Sequence, residues 1–328
     1  MEKQIKKVPI SLIIDDPAPV VSVYHAHSDT GYTLDGRPLI PHVPNDFLRA
    51  FCSVVKDRGL KGKFSVIPMP GNRGDIVRGL RGASQEKVDE WIRTVQTRLL
   101  PAFTVGPEML THHKAVDLAT GGALPMSEKE WALDKDRTAL TPYIARALEI
   151  LTEAGFHPCG VTSPWDFGIS VEDEYVAAIS QAVCDVSGED TAWYFLRGLR
   201  DTPNAKPWIA LREGGRTVVS IPATLRDCFW QTIDTTRQDE AFFSEIADTL
   251  ITADGKSGTL IRVLETGGWP ILITHWQSLM SNGLGTGLRA LDEVGRRITE
   301  HLSDRVEWMS FEEIMRTVAA APESFPAR

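Results

Sequence analysis

The feature that most constrains this chain is a set of apolar runs that each stop abruptly at polar residues. Val8 to Ile14 (VPISLII) is apolar and largely β-branched, and it ends at Asp15-Asp16-Pro17. A short run that is apolar at nearly every position, instead of alternating, marks a strand buried on both faces, as in a parallel sheet. Similar runs cover Lys63 to Ile67, Ala102 to Leu110, Cys159 to Thr162, Thr191 to Leu196, Thr217 to Ile221, Pro270 to Thr274 and Arg305 to Trp308. Helical stripes separate them. Phe47, Leu48, Phe51, Val54 and Val55 repeat at helical spacing and Gly59 closes them; Val88, Trp91, Ile92, Val95 and Leu99 form a second stripe behind Ser84. Ser127 and Glu130 have capping-box spacing ahead of Trp131, and Leu288, Leu291, Val294, Ile298 and Leu302 mark a last long helix. Strands alternating with helices imply a parallel sheet. With seven or eight strands, the expected fold is an α/β parallel (β/α) barrel, distorted or incompletely closed. No repeat, low-complexity tract or linker interrupts the pattern, so residues 1–328 are expected to form one domain.

Composition excludes several classes of function. The chain is 42% hydrophobic and 24% charged, which is globular, and its net charge of −9 without a basic run argues against nucleic acid as a partner. The first apolar run is too short to span a membrane and ends in two aspartates, so neither a membrane span nor a signal peptide is expected. Cys52, Cys159, Cys184 and Cys228 are scattered, with no Cys-x-x-Cys pair, which fits reduced thiols in a cytoplasmic protein. A small neutral or cationic substrate suits the charge, and an oligomer is compatible with it.

The ends of the runs carry the chemistry. The first ends in Asp15 and Asp16. The third ends in His112 and His113, with Asp117 four residues beyond. The fourth is followed by Ser163, Trp165 and Asp166, the run at Ile221 by Arg226 and Asp227, and the run at Thr274 by His275. Taken singly, each reads equally well as a turn, a cap or a core histidine. In a parallel barrel, however, all strand C-termini open on one face, so these groups would converge there. Aspartate and neutral histidine are ordinary ligands of zinc, and a catalytic zinc lowers the pKa of its water to about 7. A further carboxylate can then act as base and a histidine as acid. His25 and His27 lie in the long loop from Ala18 to Pro44, where extended backbone would put both on one side.

In order and content these motifs resemble those of the polysaccharide deacetylases, metal-dependent carbohydrate esterases. SLIIDDPAP resembles the Thr-Phe-Asp-Asp-Gly segment of that family, GKFSVIPMPG its second strand, and Glu108-Met109-Leu110-Thr111-His112 the segment with its first metal histidine. AGFHPCGVTSPWDFG resembles its Arg-x-Pro-Tyr region, PILITHW its late Leu-x-His, and VEWMSFEEIM its last strand and helix. The resemblance implies Asp15 as base, Asp16 and His112 as metal ligands and His275 as general acid. It also implies an oxyanion-binding N–H at Trp165 and Arg226 as the arginine that orients the base.

The chain departs from the family at several points. Pro17 replaces a glycine, Thr162 stands where the family has an arginine, and Val116 occupies the place of the second metal histidine. His113 or Asp117 would then complete the site. The expected cofactor is one divalent ion, zinc in the first instance, with manganese, iron or nickel as competitors at a site with two carboxylates. The implied activity is removal of an acetyl or similar acyl group from an amide or ester of a sugar or small molecule. A catalytically inactive carbohydrate-binding barrel and a glycoside hydrolase using Asp15 and Asp166 are the alternatives.

Overall fold

The computed structural model describes residues 7–325. Its fold is mixed α/β, with parallel strands at the centre and helices around them. Nine strands matter for the site: β1 (Val8–Asp15), β2 (Gly62–Val66), β3 (Phe103–Pro107), β4 (Gly160–Thr162), β5 (Thr191–Phe195), β6 (Trp208–Glu213), β7 (Arg216–Ser220), β8 (Ile271–His275) and β9 (Val306–Trp308). Ile10 and Leu12 to Ile14 of β1 are fully buried, as expected of a strand covered on both faces.

The strands form two sheets. In the first, β8, β1, β2 and β3 lie side by side, and β9 pairs with the first half of β1. All of these pairings are parallel, and the register puts Asp15 beside His275. In the second, β5 lies between β7 and β4, both parallel to it, and β6 adds an antiparallel edge. Thr217 to Ile221 thus forms half of a hairpin with β6, which buries only Trp208 and Ile209 and gives no apolar run in the sequence.

The ladder does not run continuously around a barrel. A single bridge, Glu108 to Thr162, joins the sheets at one edge. At the other, the N–H groups of Thr224 and Leu225 both donate to the Ile271 carbonyl, at 3.1 and 3.2 Å. Glycines allow the close approaches. A methyl group at Gly62 would lie 1.7 Å from the Leu12 carbonyl oxygen, and one at Gly160 would lie 2.3 Å from the Trp193 ring. Trp193 is fully buried between the sheets and Phe311, and one apolar cluster extends from Ile10 to Val318.

Short hairpins (Gly74–Asp75 with Gly79–Leu80, and Lys114–Val116 with Ala123–Ser127) decorate the strand C-terminal side. The long first loop contains a short helix, Val23–His27, capped by Ser22. Among the described residues no helix is long and apolar enough to cross a membrane, and the four cysteines are free thiols.

Candidate metal centre

Two strand ends meet. Asp16 follows β1 and Glu108 follows β3, and the Asp16 N–H donates to Glu108 Oε2 at 2.6 Å. His112, four residues on, turns its Nε2 to 3.1 Å from Asp16 Oδ1 and 3.5 Å from Glu108 Oε1. One ligand atom from each of these buried residues lies within 4.8 Å of the other two. Asp16 Oδ2 accepts from the Gln277 amide, but the buried Oδ1 has no hydrogen-bond partner. A buried carboxylate oxygen without a hydrogen-bond partner, facing a second carboxylate and an imidazole, belongs to a set that could hold a cation. The side-chain states agree. Burial would raise Asp16, but the imidazoles of His112 and His275 and the Gln277 hydrogen bond hold it below its usual value. Burial, then the charges of Asp15 and Asp16, push Glu108 well above the carboxylate range. Burial lowers His112, against the pull of Asp16, so it is a neutral imidazole of the kind that binds metal.

The backbone is strained to make this site. Asp16, Met109, His112, Trp165 and Asp166 all have φ between 46° and 66°, a left-handed conformation costly for side-chain-bearing residues. A second buried carboxylate holds the His112 loop. Glu128 accepts the N–H groups of Leu110 (3.1 Å), Thr111 (2.9 Å) and His112 (2.7 Å) and the Tyr143 hydroxyl (2.7 Å). Burial raises its pKa to about 7, with the Tyr143 hydroxyl and those N–H groups opposing. Asp and Glu side chains can replace the missing backbone partners of a turn in this way.

Two charged pairs flank the cluster. Lys63 is a fully buried lysine in the middle of β2, and its Nζ donates to Asp15 Oδ1 (2.5 Å), Thr162 Oγ1 (2.7 Å) and Ser65 Oγ. Its ammonium also sits 4.7 Å from the Phe195 ring centroid. On the other side His275 Nδ1 lies 2.7 Å from Asp227 Oδ2, which also accepts from Ser278. Burial alone would lower His275, but the Asp227 hydrogen bond and the charge of Asp16 raise it to about 9. An imidazole in that state carries a proton at neutral pH.

These groups open into a cavity of about 540 Å³ walled by Tyr24, His27, Trp165, Trp230 and Arg197. The Trp165 ring centroid is 4.3 Å from that of His112, and Trp230 meets His275 edge-on at 5.0 Å. His27 stacks on His112 at 4.7 Å and donates to its carbonyl. Burial, reinforced by His112, lowers His27 to about 3. Of the two loop histidines only His27 faces this cavity; His25 lines another.

The sequence expectations meet this geometry unevenly. Asp15, Asp16, His112, Trp165 and His275 all line the one cavity. Asp117 does not: it sits in an exposed turn, its carboxylate engaged by the Ala119 N–H and the Thr120 hydroxyl. The chain after His112 enters a hairpin strand, not a helical turn, which carries Asp117 away. His113 also points elsewhere, with Nδ1 3.0 Å from Asn72 Oδ1. Arg226 is exposed and 3.7 Å from Asp201, and Lys63 is the cation on Asp15. The sequence alone points to no role for Glu108, Lys63 or Gln277, and places Asp227 only as one of the converging strand-end groups. The Glu108-x-x-x-His112 spacing is a usable signal for the first, and a lone lysine inside an apolar strand is one for the second.

No family model matches the sequence, and no curated protein matches it. Among solved structures, a candidate polysaccharide deacetylase from Mycobacterium smegmatis aligns with a TM-score of 0.56 and 14% identity, over 100% of this chain and 94% of the other. A 4-alpha-glucanotransferase from Thermococcus litoralis aligns with a TM-score of 0.48 and 11% identity, over 95% of this chain but 40% of its own, too slight a likeness to argue from. At 14% identity the first likeness is one of fold: this chain folds like the candidate deacetylase from end to end.

Proposed function

We propose that this chain is a metal-dependent hydrolase that removes an acetyl or similar acyl group from an amide or ester of a sugar or other small molecule. The observation that carries this reading is the convergence of Asp16, Glu108 and His112 around the orphaned Asp16 Oδ1. It has a carboxylate–cation pair on one flank and a protonated imidazole on the other. The resemblance of the motifs and the fold of the candidate deacetylase point the same way.

Asp16, Glu108 and His112 would hold the ion. Two carboxylates and one imidazole make a hard ligand set, so manganese or iron(II) competes with zinc here. A divalent ion supplies Lewis acidity toward an acyl oxygen and acidity to water. The chain supplies the rest. Asp15, held by Lys63 and the Ser65 hydroxyl, accepts a proton from the attacking water. His275, held protonated by Asp227, donates to the leaving nitrogen or oxygen. Trp165 and Trp230 give the cavity apolar faces that suit a sugar ring.

The test is metal analysis of the protein after incubation with zinc, manganese or iron(II), with acetate release from an N-acetylated model sugar measured alongside. About one ion per chain is expected, lost together with acetate release in Asp16→Ala and Glu108→Ala. A parent protein that binds none of the three ions overturns the reading.

A further inference from the structure

His25 and His113 were singled out by the sequence and are not used by the candidate metal centre. They meet in a separate cavity of about 560 Å³, whose other walls include Arg73 and Arg81. The helix Val23–His27 divides the two cavities: Tyr24 and His27 face the metal cluster, and His25 and Ala26 face the other side. No acidic residue lines this second cavity, although the chain carries nine more acidic than basic side chains.

The two arginines are forced together. Gly74 pairs with Leu80, and the Arg81 N–H donates to the Arg73 carbonyl at 2.7 Å, so they stand opposite one another at the base of the hairpin. Like charges directly across an antiparallel pair are destabilising. Arg78, at the tip of the same hairpin, is relieved by Asp75 at 3.1 Å and Glu153 at 2.7 Å. Among the described residues neither Arg73 nor Arg81 has a carboxylate partner; the Arg81 guanidinium donates only to the Asn72 carbonyl, at 3.3 Å. The buried Nδ1 of His25 is without a hydrogen-bond partner as well. Burial first, then the positive charges of Arg73 and His42, hold His25 below its usual pKa. Two guanidiniums and two imidazoles around a roomy cavity, with nothing anionic among them, form a setting for an oxyanion.

We propose that the cavity walled by Arg73, Arg81, His25 and His113 binds a phosphate- or sulfate-type oxyanion, at a site separate from the candidate metal centre. Its size is that of a small-molecule pocket, so the oxyanion can be free or borne on an organic ligand.

The test is calorimetry on the full chain with inorganic phosphate at constant ionic strength. The dissociation constant is expected to rise about tenfold or more in Arg73→Ala/Arg81→Ala and to rise less in Arg81→Gln, which keeps one arginine should the double variant fail to fold. Phosphate binding is expected to be unchanged in Asp16→Ala, which separates this site from an ion in the metal centre. A parallel titration with glucose 6-phosphate distinguishes the sources: tighter binding than phosphate means an organic ligand, and equal or weaker binding means the free oxyanion. Parent protein that does not bind phosphate, arginine variants that bind it as tightly as the parent, or loss of binding in Asp16→Ala would overturn the proposal.

Discussion

The two sheets contribute unequally to the main cavity. Strands β1, β2, β3 and β8 of the first sheet, or the residues just past them, carry Asp15, Asp16, Lys63, Glu108, His112 and His275. The second sheet brings Ser163, Trp165, Phe195 and Arg197 to the same space. Arg197 is itself neutralised by Glu172. On the proposed reading the first sheet provides the ligands and proton carriers, and the second provides shape, with Thr162 beside Lys63 and Asp227, past β7, beside His275 as supporting groups. The division follows from topology. β1 is flanked by β8 and β2, so its carboxylates can be reached from both neighbours, whereas a single bridge links β3 to β4.

The sharpest way to break this comparison is Asp16→Ala. It removes a proposed ligand from the first sheet and should lower kcat/KM on the order of a thousandfold with loss of the ion. An Asp16→Ala protein that kept its metal would shift the site toward the second sheet. Next is Lys63→Met. It leaves Asp15 buried without its cation, which costs on the order of 3–5 kcal/mol, read as a drop in the denaturation midpoint. kcat should fall about a hundredfold while the metal stays. Adding Asp15→Asn should restore most of the stability and none of the activity, because the destabilising element is the unpaired charge.

The sequence carried the first sheet better than the second. Runs such as VPISLII and PILIT are apolar throughout because both faces are covered, so β1 and β8 and the groups at their ends could be read directly. The partition into two sheets could not, since it depends on where ladders break. β6 is buried only at Trp208 and Ile209 and runs out to exposed Arg212 and Glu213, so it gives no run of the kind that marks the other strands. Within the site, Asp15, Asp16, His112 and His275 were legible as strand ends. The resemblance puts the third ligand downstream of His112, at or next to the position that Val116 occupies. The chain instead enters a hairpin, and it is Glu108, ahead of His112, that lies beside Asp16 and His112. A lysine in an apolar strand marks Lys63 as unusual, but the sequence does not show what it pairs with, because Asp15 and Thr162 come from other strands.

Asp227→Asn tests the acid side of the first sheet. His275 is raised to about 9 by Asp227 after the opposing effect of burial, so it is protonated at neutral pH and its ability to donate is lost as pH rises through about 9. Removing the carboxylate lowers that pKa toward its ordinary value near 6.5. The alkaline limb of the activity profile should move to lower pH, with activity at neutral pH falling about tenfold and metal content unchanged. A limb that stays in place would mean another group is the acid.

The second sheet should respond in a different currency. Trp165→Ala removes a ring that packs 4.3 Å from His112 and forms an apolar wall. If that sheet supplies shape, KM rises several-fold and kcat changes little, because a wall contributes binding common to ground and transition states. A large fall in kcat with loss of metal would show that the ring holds His112 in place, and the division between the sheets would fail there.

The smallest expected effects belong to residues that proximity in sequence favoured and the fold set apart. Arg226→Ala removes an exposed side chain 3.7 Å from an exposed aspartate, a pair of the kind that contributes about 0–1 kcal/mol. Asp117→Ala removes the acceptor for the Ala119 N–H and the Thr120 hydroxyl in a surface turn, a loss of about 0.5–1.5 kcal/mol per hydrogen bond at most. Neither touches the cavity, so both variants should keep full metal content and activity within about twofold of the parent. The two results bear on different points. Metal loss in Asp117→Ala would mean that the hairpin after His112 folds back in the loaded protein and that Asp117 enters the ligand set. A hundredfold loss of kcat in Arg226→Ala would mean that the arginine swings in to displace Lys63 from Asp15. That movement would leave a fully buried ammonium without its carboxylate, a cost that the structure gives no sign of offsetting.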